Sequence, residues 1–296
     1  MAIIGISIKN VLAFQQNFTA DFCTGINVII GENGVGKTTL LKALHDSEDI
    51  YEINRTKPIP SFGKEEEKSS VSLECAGKID YQIYIPEKDI LENARGLLPF
   101  VMKKDTAFSD IYKNVLISAQ DIPTSEQTET QRSLGEKISN IIGGTVEWVA
   151  SEGTYYTIKK TGLRVPFLRE ASGYKKLGYL GIQIASGQLE PGSILFWDEP
   201  ENSLNPALAS QLVDILLELS RSGVQIFIAT HNEVFASYFA VNRQNGDNVL
   251  FTSLYKDGEE IKADTSHRFD FLTPNSLTAE PVKLYEKHLE KGLGND

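Results

Sequence analysis

The chain has 296 residues, 41% of them hydrophobic, which can fill the core of one large α/β domain with an insertion or of two small domains. A formal net charge of −11 disfavours non-specific attachment to phosphate backbones, so nucleic acid is possible as a partner but not indicated. Cys23 and Cys75 have no CxxC companion, which gives a disulfide framework or zinc site little support and predicts two buried thiols; the absence of a leader-like start or a membrane-length apolar run predicts a soluble, cytoplasmic protein with no membrane partner.

Residues 3–8 are apolar and β-branched, 18–22 alternate, and 25–30 form a short apolar run ending at a glycine, so all three read as strands. A continuously apolar strand is expected to be buried on both faces of a parallel sheet. A glycine-rich turn follows, and residues 38–44 then carry leucines at helical spacing. Residues 54–70 are polar, charged and proline-containing and read as a surface loop, with Glu65, Glu66 and Glu67 at a solvated tip. Residues 71–85 read as a β-hairpin turning near Gly77. From 86 to about 142 the pattern changes to short helices of mixed charge without a repeat, an inserted helical lobe. Strands return at 144–149 and 154–159, followed by a helix at 172–185, a core strand at 193–197, a helix at 206–220 and a core strand at 224–229. A hairpin over 248–262 and a polar helix over 276–291 close the chain. Such alternation predicts a parallel sheet with crossover helices, an α/β fold.

The strongest chemical signal is Gly31-Glu32-Asn33-Gly34-Val35-Gly36-Lys37-Thr38, with Thr39 following, a match to G-x-x-x-x-G-K-[ST] between an apolar strand and a helix. Its glycines let backbone N–H groups turn inward around a phosphate, and the helix N-terminus adds the positive end of its dipole. Lys37 would then reach the β- and γ-phosphates, while the Thr38 hydroxyl would ligate Mg²⁺. A second signal is the apolar strand ending in Asp198-Glu199. At a strand's carboxyl end, Asp198 can hold the metal shell and Glu199 can polarise an attacking water, although two acids there could also be an ordinary strand-to-turn boundary. A third is Ala229-Thr230-His231, where a histidine at a strand end can contact the γ-phosphate and orient that water.

Together these runs resemble an ABC-type ATPase of the branch that includes the SMC-like and overcoming-lysogenization-defect (OLD) proteins, often described as AAA-family ATP-binding proteins. The likeness extends to the opening Ile8-Lys9-Asn10-Val11-Leu12-Ala13-Phe14 and covers most of the chain. It implies one ATPase domain over residues 1–296, built on a mixed or parallel sheet with flanking helices, an antiparallel N-terminal β subdomain and the insertion at about 86–142. It also implies ATP and Mg²⁺ as ligands, with hydrolysis by Glu199 and His231. The family pattern places a signature at Ala171-Ser172-Gly173-Tyr174-Lys175, whose Ser172 and Gly173 would bind the γ-phosphate held by a second copy, giving a homodimer or higher oligomer through an ATP sandwich. The run from Asp198 to Pro206 resembles Walker B and the D-loop, which sets Asn202 to Asn205 near the dimer interface. Taken alone, Ser172-Gly173 reads as no more than a helix cap.

The signature lacks a second glycine, because Tyr174 follows Gly173, and Leu12 and Ala13 stand where relatives often carry a basic residue, leaving the adenine contact unnamed. The Q-loop residue stays open between Gln120 and the pair Glu87 and Lys88, which follows a strand. Short helices replace the long heptad segments of coiled-coil relatives, and no further acidic cluster on a strand pattern follows His231, so neither long-range tethering nor nucleic-acid cleavage is expected. The resemblance therefore implies a regulatory switch for a separately encoded effector docked on the insertion, as in Septu-type or retron-linked anti-phage systems or toxin-like pairs. The alternatives are the nucleotide-binding subunit of an ABC transporter and an ATP-sensing, antitoxin-like module that hardly turns over.

Overall fold

Where apolar residues run without a break the chain forms strands with no exposed face. Ile26–Gly31 (β3), Ile194–Asp198 (β9) and Gln225–Thr230 (β10) are buried at every position. The computed structural model describes residues 2–45, 69–77, 79, 81–88, 90–101, 110–120, 127–275, 287 and 289. It divides into two compact units, one comprising Ile3–Glu74 with Ile228–Asp296 and the other Cys75–Phe227 with Met1–Ala2. We refer to them as the glycine-loop unit and the acidic-loop unit.

In the glycine-loop unit, Ala2–Lys9 (β1) pairs antiparallel with Phe18–Asp21 (β2), and Ser70–Ala76 (β4) lies on the other side of β1. Next to β3 runs Val249–Asp257 (β11), parallel and in register from Val249 opposite Ile26 to Leu254 opposite Gly31. Beyond it Glu260–Ser266 (β12) closes an antiparallel hairpin. In the strand order β3 is followed by β10, whose residues 228–230 belong to this unit. Among the described residues this unit holds the helices Lys37–His45 (α1) and Glu233–Asn242 (α7), the latter capped by the Asn232 side chain accepting from Phe235 N–H at 3.0 Å. Aromatic pairs fill the gaps, Phe14 with Phe18 and Phe251 with Phe269, at ring-centroid distances of 4.6 and 5.4 Å.

In the acidic-loop unit, Gln82–Ile85 (β5) runs parallel to β9, with Tyr84 opposite Phe196, and the start of β10 borders β9 on its other side. Phe196 stacks on Phe227 at 5.2 Å. A separate antiparallel sheet comprises Gly144–Val149 (β6), Thr154–Lys159 (β7) and Arg164–Pro166 (β8). The helices are Ala94–Val101 (α2), Asp110–Ser118 (α3), Glu129–Ile142 (α4), Ser172–Ala185 (α5) and Pro206–Arg221 (α6). Helix α4 starts in a capping box between Thr128 and Gln131 and ends at Gly143 in the left-handed conformation. Its apolar side, Leu134 and Ile138, packs along α5, where Gly181 lets the two helices approach: a Cβ there would meet Ile138 Cγ2 at 3.3 Å. The described part of the expected insertion is helical and lies inside this unit.

Three readings change. The expected hairpin over 71–85 does not form: β4 borders β1 whereas β5 borders β9. Two strand-like runs separated by a glycine are locally indistinguishable from a hairpin, and the choice of partner strand is made by packing elsewhere. Cys75 is exposed at the end of β4, so only Cys23 resembles the expected buried thiol; it is half-buried, and burial pushes its thiol up to about 11. The short strand β8 was not expected. The loop at 54–70, its three glutamates and the helix at 276–291 lie outside the described residues except for Ser69, Ser70, Lys287 and Leu289.

Candidate functional site

Gly31 ends β3, and the chain then turns through Gly34 and Gly36 into α1, with φ of +154°, +82° and +91° at the three glycines. Each glycine answers a different constraint. A Cβ on Gly31 would lie 2.5 Å from Leu254 O and 2.8 Å from Val35 Cγ2, so the neighbouring strand leaves it no room. At Gly36 a Cβ would approach Ala13 Cβ to 3.0 Å and the Phe14 ring to 3.1 Å. At Gly34 nothing lies within 4 Å, and the loop opens outward there. Lys37 is buried despite its charge, and its ammonium donates back to Gly31 O at 2.8 Å and Glu32 O at 3.0 Å. The result is a ring of backbone around one ammonium at a helix N-terminus, a cradle with the shape and sign that a polyphosphate requires. Glu32, Asn33 and Thr38 are exposed around it, Val35 is buried and Thr39 is half-buried.

The wall behind Gly36 was not foreseen as part of this loop. Residues 10–14 form a tight turn, with Val11 and Phe14 exchanging backbone hydrogen bonds of 2.8 and 2.9 Å and with Asn10 and Leu12 at φ of +54° and +47°. Asparagine is enriched in the left-handed region, but nothing in the sequence marks Leu12 as left-handed. In the same unit His231 is exposed just after β10, and Asn232 N–H donates to Thr230 Oγ1 at 2.9 Å, turning the chain toward α7.

In the acidic-loop unit the buried Asp198 ends β9, and Glu199 follows at φ +48°. Tyr84, buried on the neighbouring strand, donates its hydroxyl to Asp198 Oδ2 at 3.5 Å. Burial, reinforced by the charges of Asp198 and Tyr112, pushes the Tyr84 hydroxyl well above the ordinary tyrosine range, so it stays protonated and able to donate. The Asn202 amide donates to Glu199 Oε2 at 2.5 Å and reaches Glu87 Oε1 at 3.4 Å. Ser203 is again left-handed, at φ +70°, and Asn205 caps α6 by accepting from Leu208 N–H at 2.9 Å.

Ser172 is exposed in the first turn of α5. The cap itself is Ala171, with no side-chain bond, so the reading of Ser172 as a plain capping residue is not the one adopted. Gly173 is buried against the acidic loop: a Cβ there would meet Leu204 Cδ2 at 2.5 Å and Ser203 O at 3.0 Å. The structure thus brings Ser172, Gly173, Asp198 and Glu199 into one assembly, and it adds Glu87, Lys176, Asn202 and Tyr84. Gln120 follows α3, donates to Leu116 O at 2.8 Å and lines a cavity of about 720 Å³ with Arg132, Gly135, Trp148 and Gly181. Of the Q-loop candidates, Glu87 and Lys88 both follow the strand β5, and Glu87 contacts this assembly through Asn202.

Residues 79–237 match the family described as "AAA domain, putative AbiEii toxin, Type IV TA system", and residues 6–139 match a second AAA domain family. The first match spans more than half of the chain, which therefore belongs to that AAA family. Over 233 residues the chain is 29% identical to the phosphate import ATP-binding protein PstB of Thermotoga maritima, covering 77% of the chain and 75% of PstB. The ribose import ATP-binding protein RbsA of Oceanobacillus iheyensis is 23% identical over 92% of the chain, and the chain spans about half of RbsA, 48%. The Smc head domain with an extended coiled coil, solved bound to the C-terminal domain of ScpA derived from Pyrococcus furiosus, matches with a TM-score of 0.53 at 11% identity, over 96% of this chain and 98% of that one. The fold is accordingly the mixed α/β fold of SMC heads, and the chain is an ATP-binding protein of the ABC/AAA class. Among the described residues no helix is long and apolar enough to cross a membrane.

Proposed function

We propose that the chain binds and hydrolyses Mg-ATP as an ABC-type dimer and uses the cycle as a switch for a partner protein. The observation that carries this reading is the cradle of residues 31–38, with its left-handed glycines and inward-turned Lys37. An incoming polyphosphate exchanges the carbonyl partners of Lys37 for phosphate oxygens, a charge-assisted and stronger contact. In this reading Gly31, Glu32, Asn33, Gly34, Val35, Gly36, Lys37, Thr38 and Thr39 hold the phosphates. Thr38 and Asp198 are the residues assigned to magnesium, which neutralises charge on the phosphate oxygens. Glu199 accepts a proton from the attacking water, and His231 orients that water against the γ-phosphate. Ser172 and Gly173 offer the open start of α5 to the nucleotide of a second copy, a role supported by the exposure of Ser172.

The whole chain would act as one ATPase domain, with the helices of 86–142 as the partner's docking surface. The family description, which names a putative toxin of a type IV TA system, supports a toxin-type setting; an anti-phage role for the pair is part of this proposal. A second reading, the nucleotide-binding subunit of a transporter, is favoured by the import ATP-binding relatives and would be recognised by co-fractionation with membranes.

Light scattering and a phosphate-release assay test the first reading together. Glu199→Gln should lower turnover by about 10²- to 10⁴-fold and accumulate an ATP-held dimer, while Lys37→Ala should bind no nucleotide. A Glu199→Gln protein that stays monomeric in saturating Mg-ATP would sink the proposal.

A further inference from the structure

Lys176 belongs to none of the motifs, yet it joins two of them. It lies one helical turn beyond Ser172 on α5, is 6% exposed, and donates through Nζ to the backbone carbonyl of Glu199 at 2.8 Å. The same carbonyl accepts the Asn202 N–H at 3.2 Å, and the Asn202 side chain holds the Glu199 carboxylate. Glu199 is left-handed, a conformation that a non-glycine residue keeps only where its surroundings over-determine it.

Packing alone does not require an ammonium at this place. The contact between α5 and the acidic loop is already closed by Gly173 against Leu204 and Ser203. Burying a lysine is expensive, and one whose only task was to neutralise carboxylates would serve as well nearer to the surface. Burial pulls the Lys176 ammonium below the ordinary lysine range, while Glu201, Glu87, Glu199 and Asp198 push it back up. A cation so placed faces the acidic loop as a whole but is aimed at one carbonyl.

We infer that Lys176 is a positioning residue for Glu199: by gripping the Glu199 carbonyl from α5 it fixes where that carboxylate stands and transmits movements of the Ser172 end of the helix to it. The inference rests on Glu199 being the base assigned above. The path is short and stiff. Ser172 and Lys176 are separated by one turn of a fourteen-residue helix, so a ligand drawing on the helix start displaces both together.

Steady-state ATP hydrolysis by wild type, Lys176→Met and Lys176→Gln, together with light scattering of Glu199→Gln and the Glu199→Gln/Lys176→Met double variant, tests this. Methionine keeps the aliphatic stem of the lysine and removes its donors, whereas glutamine, of similar reach, keeps a donor without the charge. Lys176→Met should lower kcat by about 10- to 100-fold, the cost of a catalytic group displaced by a fraction of an ångström to an ångström. KM should stay within about twofold, with Lys176→Gln in between. The double variant should still form the ATP-held dimer, because its missing base no longer needs positioning. If Lys176→Met fails to fold, Lys176→Gln must still show lower kcat at unchanged KM. A wild-type kcat in the folded variants, a loss expressed in KM, or loss of the ATP-held dimer in the double variant would each overturn the positioning role while leaving ATP hydrolysis standing. Absence of turnover in the wild type would overturn both.

Discussion

The glycine loop between β3 and α1 and the acidic loop between β9 and α6 both need left-handed backbone, and they obtain it in opposite ways. The first uses Gly31, Gly34 and Gly36, which adopt positive φ at little cost. The second uses Glu199 and Ser203, side chains that pay for the same conformation and are held there by neighbours: Lys176 and Asn202 on the Glu199 carbonyl, and Leu204 N–H on Glu201 O at 2.9 Å. Thus the first loop carries its shape in its glycines, while the second is held by its own hydrogen bonds together with Lys176 of α5. A loop of the second kind can be altered from a distance, whereas a loop of the first kind keeps its shape by itself.

The sharpest way to break this comparison is an alanine series in the glycine loop. Gly31→Ala should cost about 3 kcal/mol or more in urea unfolding and remove nucleotide binding, because backbone and Val35 leave its Cβ no space. Gly36→Ala should cost less, about 2 kcal/mol, since its Cβ would meet the Ala13 Cβ and the Phe14 ring at 3.0 and 3.1 Å rather than backbone at 2.5 Å. Gly34→Ala should cost about 1 kcal/mol, from backbone strain in open space. Equal losses at all three positions would mean that φ rather than crowding governs the loop.

The acidic loop is tested by smaller effects. Asn205→Ala removes the cap of α6 and should cost about 1 kcal/mol, read as a lowered melting temperature. Ser203→Gly should raise stability by about 0.5 kcal/mol, because strain is released in an exposed residue at some entropic cost in the unfolded chain. A destabilised Ser203→Gly would show that the serine side chain itself holds the loop, and the contrast between the two loops would then soften.

Much of this was legible beforehand, and unevenly. The helix over 172–185 and the core strands beneath Asp198 and His231 were readable because unbroken apolar runs and helical leucine spacing are local properties. The hairpin over 71–85 was misread because the strand pattern of β4 and β5 says nothing about which strand each will join. Glu87 could only be offered beside Gln120, since both follow plausible elements. The register of β5 on β9 and the Asn202 contact decide between their surroundings.

By itself the amino-acid sequence determined most of the elements and the glycine loop, because a glycine's freedom and an apolar run's burial are intrinsic to the residues that carry them. Only the tertiary structure decided that residues 10–14 back onto Gly36, that Tyr84 faces Asp198, and that Lys176 grips Glu199. These are meetings of residues distant in the chain, and their energies come from burial and hydrogen bonding that exist only once the surrounding elements have packed.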